Sequence, residues 1–375
     1  MQELLELTRE LADKELRPAV DAAERAGTFP RETFRLLGRS GLLGLPYPER
    51  WGGGGQRYEV YLQVVEELAR AWLTVGLGVS VHTLTCFPLA TAGTPEQQER
   101  WLPDMLGGDL LGAYCLSEPQ SGSDAAALAT RAAADGDGYR IDGVKAWISH
   151  AGQADFYSVF ARTSGEASGP DRARGISCLH VPASTGGVSA GPAEHKMGMR
   201  ASVTAQMIFD GARVPADHLV GEEGDGFAIA LAALDAGRLG IAACATGLAQ
   251  AALDTAVGYA RERRQFGQPI IDFEGLSFLL ADMATGVEAA RALYRAAACR
   301  KDAGRPFSAQ AAMAKLFAAD TAMRVATDAV QVLGGYGYVE DFPAERYMRE
   351  AKVLQIVEGT NQIQRLVIAR ALRRG

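Results

Sequence analysis

Apolar positions change rhythm twice along this 375-residue chain. Up to about Asp109 they recur at helical spacing. Residues 1–20 are acidic and amphipathic, with Leu4, Leu5, Leu11 and Leu16 on one helical period, and residues 57–72 carry Val60, Val64 and Leu68 in the same way. Thr94-Pro95 is a start signal for a helix over 96–106. From about Leu110 to Leu219 short β-type runs alternate with turn residues. Strands are predicted at 156–161, 176–181 and 205–209, and Tyr139-Arg140-Ile141, Asp142-Gly143 and 144–149 predict a hairpin. The Gly/Ser/Pro-rich segment 163–175 is expected to be an exposed loop. Beyond Val220 long alanine-rich helices are predicted over 226–264, 274–303 and 308–333, with small side chains suited to close helix packing. The order is a helical domain (1–109), a β unit of small-barrel type (110–219) and a helical bundle (220–375), an α+β multidomain chain.

Length alone points to two or three domains. Hydrophobic residues make up 48% and charged residues 22%, as in a soluble globular protein. A net charge of -7 argues against a nucleic-acid partner. The most apolar tract, 227–253, is interrupted by Asp235 and Arg238, so it reads as a buried bundle helix and no membrane span is expected. No signal peptide is read at the N-terminus. The five cysteines are scattered without a CxxC pair, which reads as reduced thiols in a cytoplasmic protein; neither they nor the five histidines have metal-ligand spacing, so no metal is expected. The run Trp51-Gly52-Gly53-Gly54-Gly55 lacks the strand and helix context of a phosphate loop and is read as a turn.

The chemistry concentrates near the end of the chain, in Ile356-Val357-Glu358-Gly359-Thr360-Asn361-Gln362-Ile363-Gln364-Arg365. Gly359 permits a sharp turn and Thr360 is an N-cap for the apolar-periodic helix that follows. Glu358 is thereby delivered on a tight loop, as a base that removes a carbon-bound proton requires. Taken alone, an acid before a helix is ordinarily a solvated dipole partner. The full string, however, closely resembles the C-terminal signature of the acyl-CoA dehydrogenases, in which this glutamate is the catalytic base.

The resemblance extends over essentially the whole chain and carries a flavin site with it. Tyr114-Cys115-Leu116-Ser117-Glu118-Pro119, continuing to Gly122-Ser123-Asp124, resembles the family's first flavin segment and implies flavin or substrate contacts for Tyr114, Leu116, Ser117, Gly122 and Ser123. Trp147-Ile148-Ser149 resembles the segment that covers the flavin, with Ser149 keeping the hydroxyl of the commoner Thr. His150 stands where Asn is frequent and is read as structural. Arg263 and Phe266 resemble residues that hold the pyrophosphate and adenine side across a subunit boundary, and an arginine fork suits a diphosphate. Gln331, Gly334 and Gly335, then Thr360 and Gln362, resemble the remaining cofactor segments. Asp235 and Arg238 fit a plain i,i+3 salt bridge; the resemblance places them beside the substrate. It also places Val357, Glu358 and Gly359 at the reacting acyl group.

What the resemblance implies is FAD-dependent α,β-dehydrogenation of an acyl-CoA to the trans-2-enoyl-CoA. Glu358 takes the α-proton, a hydride passes to flavin N5, and the Glu358 amide helps bind the thioester oxygen. Electron-transferring flavoprotein is the implied acceptor and a homotetramer the implied assembly. The short-chain, butyryl-type branch is the nearest in pattern. Val357 replaces a frequent Tyr, which predicts a wider pocket for branched acyl groups unless Phe87, Tyr336 or Tyr338 fills the space. An oxygen-using acyl-CoA oxidase, a dehydrogenase of carrier-protein thioesters and a non-catalytic flavin-binding protein remain alternatives. A nitroalkane oxidase relative would carry Asp as the base.

Overall fold

The computed structural model describes residues 2–169 and 171–374. Six helices come first: α1 (Gln2–Leu11), α2 (Val20–Ala26), α3 (Arg31–Arg39), α4 (Tyr58–Ala71), α5 (Leu73–Ala92) and α6 (Pro95–Leu106). The predicted start at Thr94 is a complete capping box, in which the Thr94 side chain accepts the Gln97 amide and Gln97 returns to the Thr94 amide.

One eight-stranded sheet follows, built from β1 (Gly112–Cys115), β2 (Arg131–Asp135), β3 (Gly138–Ser149), β4 (Phe156–Arg162), β5 (Ile176–Pro182), β6 (Val188–Ala190), β7 (Thr204–Pro215) and β8 (Leu219–Val220). Its strand order is β6-β7-β3-β2-β4-β5-β8, with β1 pairing parallel to β4.

The sequence reading of a hairpin at Asp142-Gly143 is corrected here. Residues 138–149 form the single strand β3, and the register against β7 slips between Ile141 and Gly143. The Asp-Gly pair is a β-bulge, with Gly143 at φ 152° and the Asp142 side chain accepting the Gly211 amide. The actual hairpin joins β2 to β3. A bulge and a hairpin turn both ask for glycine at positive φ, so the dipeptide alone does not separate them.

The C-terminal helices are α7 (Gly226–Glu262), α8 (Glu274–Asp302), α9 (Ser308–Leu333), the short α10 (Gly335–Tyr338), α11 (Ala344–Leu354) and α12 (Asn361–Arg374), with a small ribbon, β9 (Arg264–Gln265) and β10 (Gln268–Pro269), between α7 and α8. α4, α5, α7, α8 and α9 share one core. Where α7 and α9 meet it, alanines such as Ala242, Ala245, Ala249, Ala318, Ala322 and Ala326 are fully buried, so the backbones approach closely. By length and composition α5 and α7 are both apolar enough to cross a membrane; in this fold most of each is buried against other helices.

Candidate active site

Five residues other than glycine have positive φ among those described: Trp147, His150, Met199, Phe266 and Glu358. Such conformations cost free energy and persist where the surrounding fold over-determines them. Three of the five, Trp147, Phe266 and Glu358, are site residues expected from the sequence.

Glu358 lies between α11 and α12 at φ 50°, followed by Gly359 at φ 90°. Thr360 caps α12, its hydroxyl accepting the Ile363 amide at 3.3 Å. The loop carbonyls face inward: the Gln364 side-chain amide donates to Gly359 O at 2.8 Å and Glu358 O at 3.3 Å. The residue as a whole is half-buried, but both carboxylate oxygens are inaccessible and have no hydrogen-bond partner among the described residues. Burial pushes this carboxyl up to about 7, against the opposing pull of Lys315 and Arg238. Its carboxylate rests on α7, where a β-carbon at Gly237 would collide with Oε2.

Gly237 also lines a cavity of about 270 Å³ between α4, α5 and α7. Tyr58, Ser80, Leu84, Phe87 and Ala236 form much of the rest. The Tyr58 and Tyr47 hydroxyls are spent on Ala236 O and Thr83 O, so both rings present apolar surface to the cavity. Val357 is half-buried and lies off this lining, whereas Phe87 is on it. Tyr336 borders a different cavity and Tyr338 is 83% exposed, so neither fills space here.

Asp235 and Arg238 do pair, and Ser308 donates to Asp235 at 2.8 Å. Arg238 is nonetheless buried beside the base, with Nε unpartnered among the described residues.

The remaining predicted residues fall into two groups. In the first, Tyr114 sits near the end of β1, its ring tilted against Phe160 and its hydroxyl donating to Ala230 O at 3.3 Å. Leu116 is buried, and the carbonyls of Leu116 and Ser117 are held by Lys145 and the Ala146 amide. Gly122 and Ser123 are exposed, with open space around Gly122. A buried ion pair anchors this loop: Lys145 Nζ lies 2.8 Å from Glu118, which also accepts the Ala129 and Thr130 amides. Trp147 is 65% exposed at the end of β3, and Ser149 pairs with Thr204 on β7. His150 is buried and bonded to Gly112 O, which fits its structural reading.

In the second group, Arg263, Gly334 and Gly335 line a cavity of about 490 Å³ with Tyr259 and Tyr336. Arg263 makes no ion pair among the described residues and lies over the Tyr336 ring. Phe266, in the β9–β10 turn, is 93% exposed. Gln331 and Gln362 are exposed on α9 and α12.

Three family models match in succession: the acyl-CoA dehydrogenase N-terminal domain over 1–109, the middle domain over 113–212 and the C-terminal domain over 224–373. The chain belongs to the acyl-CoA dehydrogenase family. An acyl-CoA dehydrogenase of Bacillus subtilis is 46% identical over 371 residues, covering 98% of this chain and 97% of the relative. The human mitochondrial short-chain specific acyl-CoA dehydrogenase is 44% identical over 377 residues, covering 100% and 90%. The structure of butyryl-CoA dehydrogenase from Megasphaera elsdenii superposes with a TM-score of 0.96 at 41% identity, covering 100% of this chain and 98% of the other. This acyl-CoA dehydrogenase is thus an enzyme, of a family that depends on FAD.

The residues present in this dehydrogenase fit that cofactor. Arg263 has a guanidinium free of internal carboxylates, Gly334 and Gly335 leave backbone open to a close-approaching phosphate, and Trp147 and Phe266 expose aromatic faces. Sequence reading missed Gly237, Lys315, Asn361 and Gln364. The signals were a glycine inside a long helix and a single lysine in the alanine-rich run Ala311-Ala312-Met313-Ala314-Lys315.

Proposed function

We propose that this enzyme dehydrogenates short or branched acyl-CoA thioesters to trans-2-enoyl-CoA, with Glu358 as the base for the α-proton. The observation that carries this reading is the Glu358 carboxylate: buried, unpartnered, raised to about 7, and resting on the glycine that lines the apolar cavity. A base kept free of donors and close to working pH can take a proton from carbon.

The short acyl group follows from size. About 270 Å³ lies below the usual 300–1,000 Å³ of ligand cavities, which favours a short acyl group over a long one. The Glu358 N–H donates to no protein acceptor among the described residues, which supports it as a donor to the thioester oxygen as negative charge develops there. Bound FAD would supply the acceptor for the β-hydride. The Ser117–Ser123 loop, Trp147 and Ser149 would hold its ring, and Arg263, Gly334 and Gly335 the diphosphate of a neighbouring subunit's cofactor. Phe266, with Gln331, Thr360 and Gln362, completes that proposal. A homotetramer is the proposed assembly, supported by the exposed Phe266 ring and by Arg263, which makes no ion pair among the described residues.

Electron-transferring flavoprotein is the proposed acceptor and the cytoplasm the proposed setting, in keeping with five free thiols. The test is an anaerobic panel of acyl-CoAs of different length and branching. Bleaching of bound flavin by butyryl- and isobutyryl-CoA, and little by C12 or longer, is expected. No bleaching by any acyl-CoA contradicts the reading.

A further inference from the structure

Lys315 is fully buried in α9, in a stretch otherwise lined by alanine. Its ammonium does not bond the Glu358 carboxylate. It donates instead to Gly359 O at 3.0 Å and to Asn361 Oδ1 at 2.9 Å. Asn361 in turn donates to Asp320 at 2.7 Å, as does Gln355, and the Asn361 amide closes the loop onto Gln355 O. One cation therefore ties Gly359 and Asn361, on the turn that carries Glu358, to α9.

We propose that Lys315 is a positioning residue for the base, its buried ammonium clamping the Gly359 carbonyl and the Asn361 side chain so that the carboxylate and N–H of Glu358 both stay on the substrate side. The proposal rests on Glu358 being the base. A left-handed glutamate is strained, and without a clamp the turn relaxes and the carboxylate swings away from Gly237. A cation one residue away also attracts the ionised base without occupying its oxygens.

The charged and titratable surroundings are few. Lys315 comes from α9 and Arg238, paired with Asp235, from α7. Asp320 on α9 faces Lys315 and is met by Asn361, Gln355 and Arg365. Tyr58 and Tyr61 of α4, Tyr114 of β1 and Cys244 of α7 feel the Glu358 charge and are held in their neutral forms by burial. Burial in turn pulls the Lys315 ammonium down to about 8, so it is charged wherever the base begins to work.

The experiment compares wild type, Lys315→Met and Lys315→Arg as purified holoenzymes. It reads flavin content, KM and kcat, the pH profile of flavin reduction, and the carboxyl infrared band that disappears in Glu358→Gln. Lys315→Met is expected to bind acyl-CoA within about threefold of wild type and to lose roughly 100-fold in kcat. Its acid limb and infrared titration should both move up by roughly one pH unit. Lys315→Arg, which keeps the charge but not the reach, should lose kcat with the limb unmoved. If Lys315→Met does not fold, Lys315→Arg decides alone: wild-type kcat overturns the proposal. So does a Met variant whose limb and infrared band stay in place. A wild-type enzyme that shows no acyl-CoA-dependent bleaching would instead overturn the assigned reaction.

Discussion

Oε2 of Glu358 rests against Gly237 so closely that no β-carbon fits at that position on α7. The contact fixes which way the base points, since the other nearby atom at that spot is Leu84 Cδ1, also on the cavity wall. Gly237→Ala should fold, because the obstructed atom is the end of a flexible side chain. The carboxylate must yield instead, and a displacement of about 1 Å is worth roughly 100-fold in rate. Stopped-flow flavin reduction should show that loss with melting temperature nearly unchanged. A variant with wild-type rates would mean that this contact does not aim the base.

The raised carboxyl sets the pH dependence. Below about 7 Glu358 is protonated and cannot accept a proton, so flavin reduction should fall tenfold per pH unit on the acid side and reach its plateau between there and about 8, where Lys315 loses its proton. Stability runs the other way. A carboxyl raised on folding favours the folded state below its unfolded value near 4.3, and that contribution is lost as pH rises through about 7. Glu358→Gln should therefore be more stable than wild type at pH 8, by up to a few kcal/mol, and match it near pH 4. Calorimetry at the two pH values checks the sign.

Lys145 and Glu118 form a buried pair that holds the loop bearing Ser117, Gly122 and Ser123. Removing one partner of such a pair leaves an uncompensated charge and costs about 3–5 kcal/mol. Lys145→Met should lower the melting temperature and release flavin. Retention of full flavin content after gel filtration would separate the pair from the cofactor loop.

Arg263 has no carboxylate partner among the described residues, and Phe266 is held in a strained, exposed turn. Both features suit a contact outside the chain. Arg263→Ala should weaken flavin retention at least tenfold, and Phe266→Ala should shift a homotetramer toward smaller species in light scattering. An active, fully flavinylated wild-type monomer would contradict the shared-cofactor assembly.

Long elements with one clear period were legible in the sequence. The helix over 308–333 matches α9 end to end, and Thr94 and Thr360 act as the caps they resemble. Asp142-Gly143 misled because bulges and hairpin turns ask for the same residues. Glu358 could be found because its string is contiguous. Gly237 and Lys315 carry only faint signals, a glycine inside a helix and a lone lysine among alanines, because their contacts with Glu358 and Gly359 arise only where α7 and α9 pack against a loop tens of residues away. Val357 shows a related limit. A wider pocket read from one small side chain depends on what lines the cavity, and the lining comes mainly from α5, the segment 46–51 and α7.

The central claim is that Glu358 removes the α-proton, and anaerobic single-turnover reduction of Glu358→Gln by butyryl-CoA tests it most directly. The amide is nearly isosteric but cannot take the proton, so flavin content and ligand binding should persist while the reduction rate falls at least 1,000-fold, about 4 kcal/mol of barrier. A variant that keeps more than about a tenth of the wild-type rate, a loss of under about 1.4 kcal/mol, would contradict the assignment.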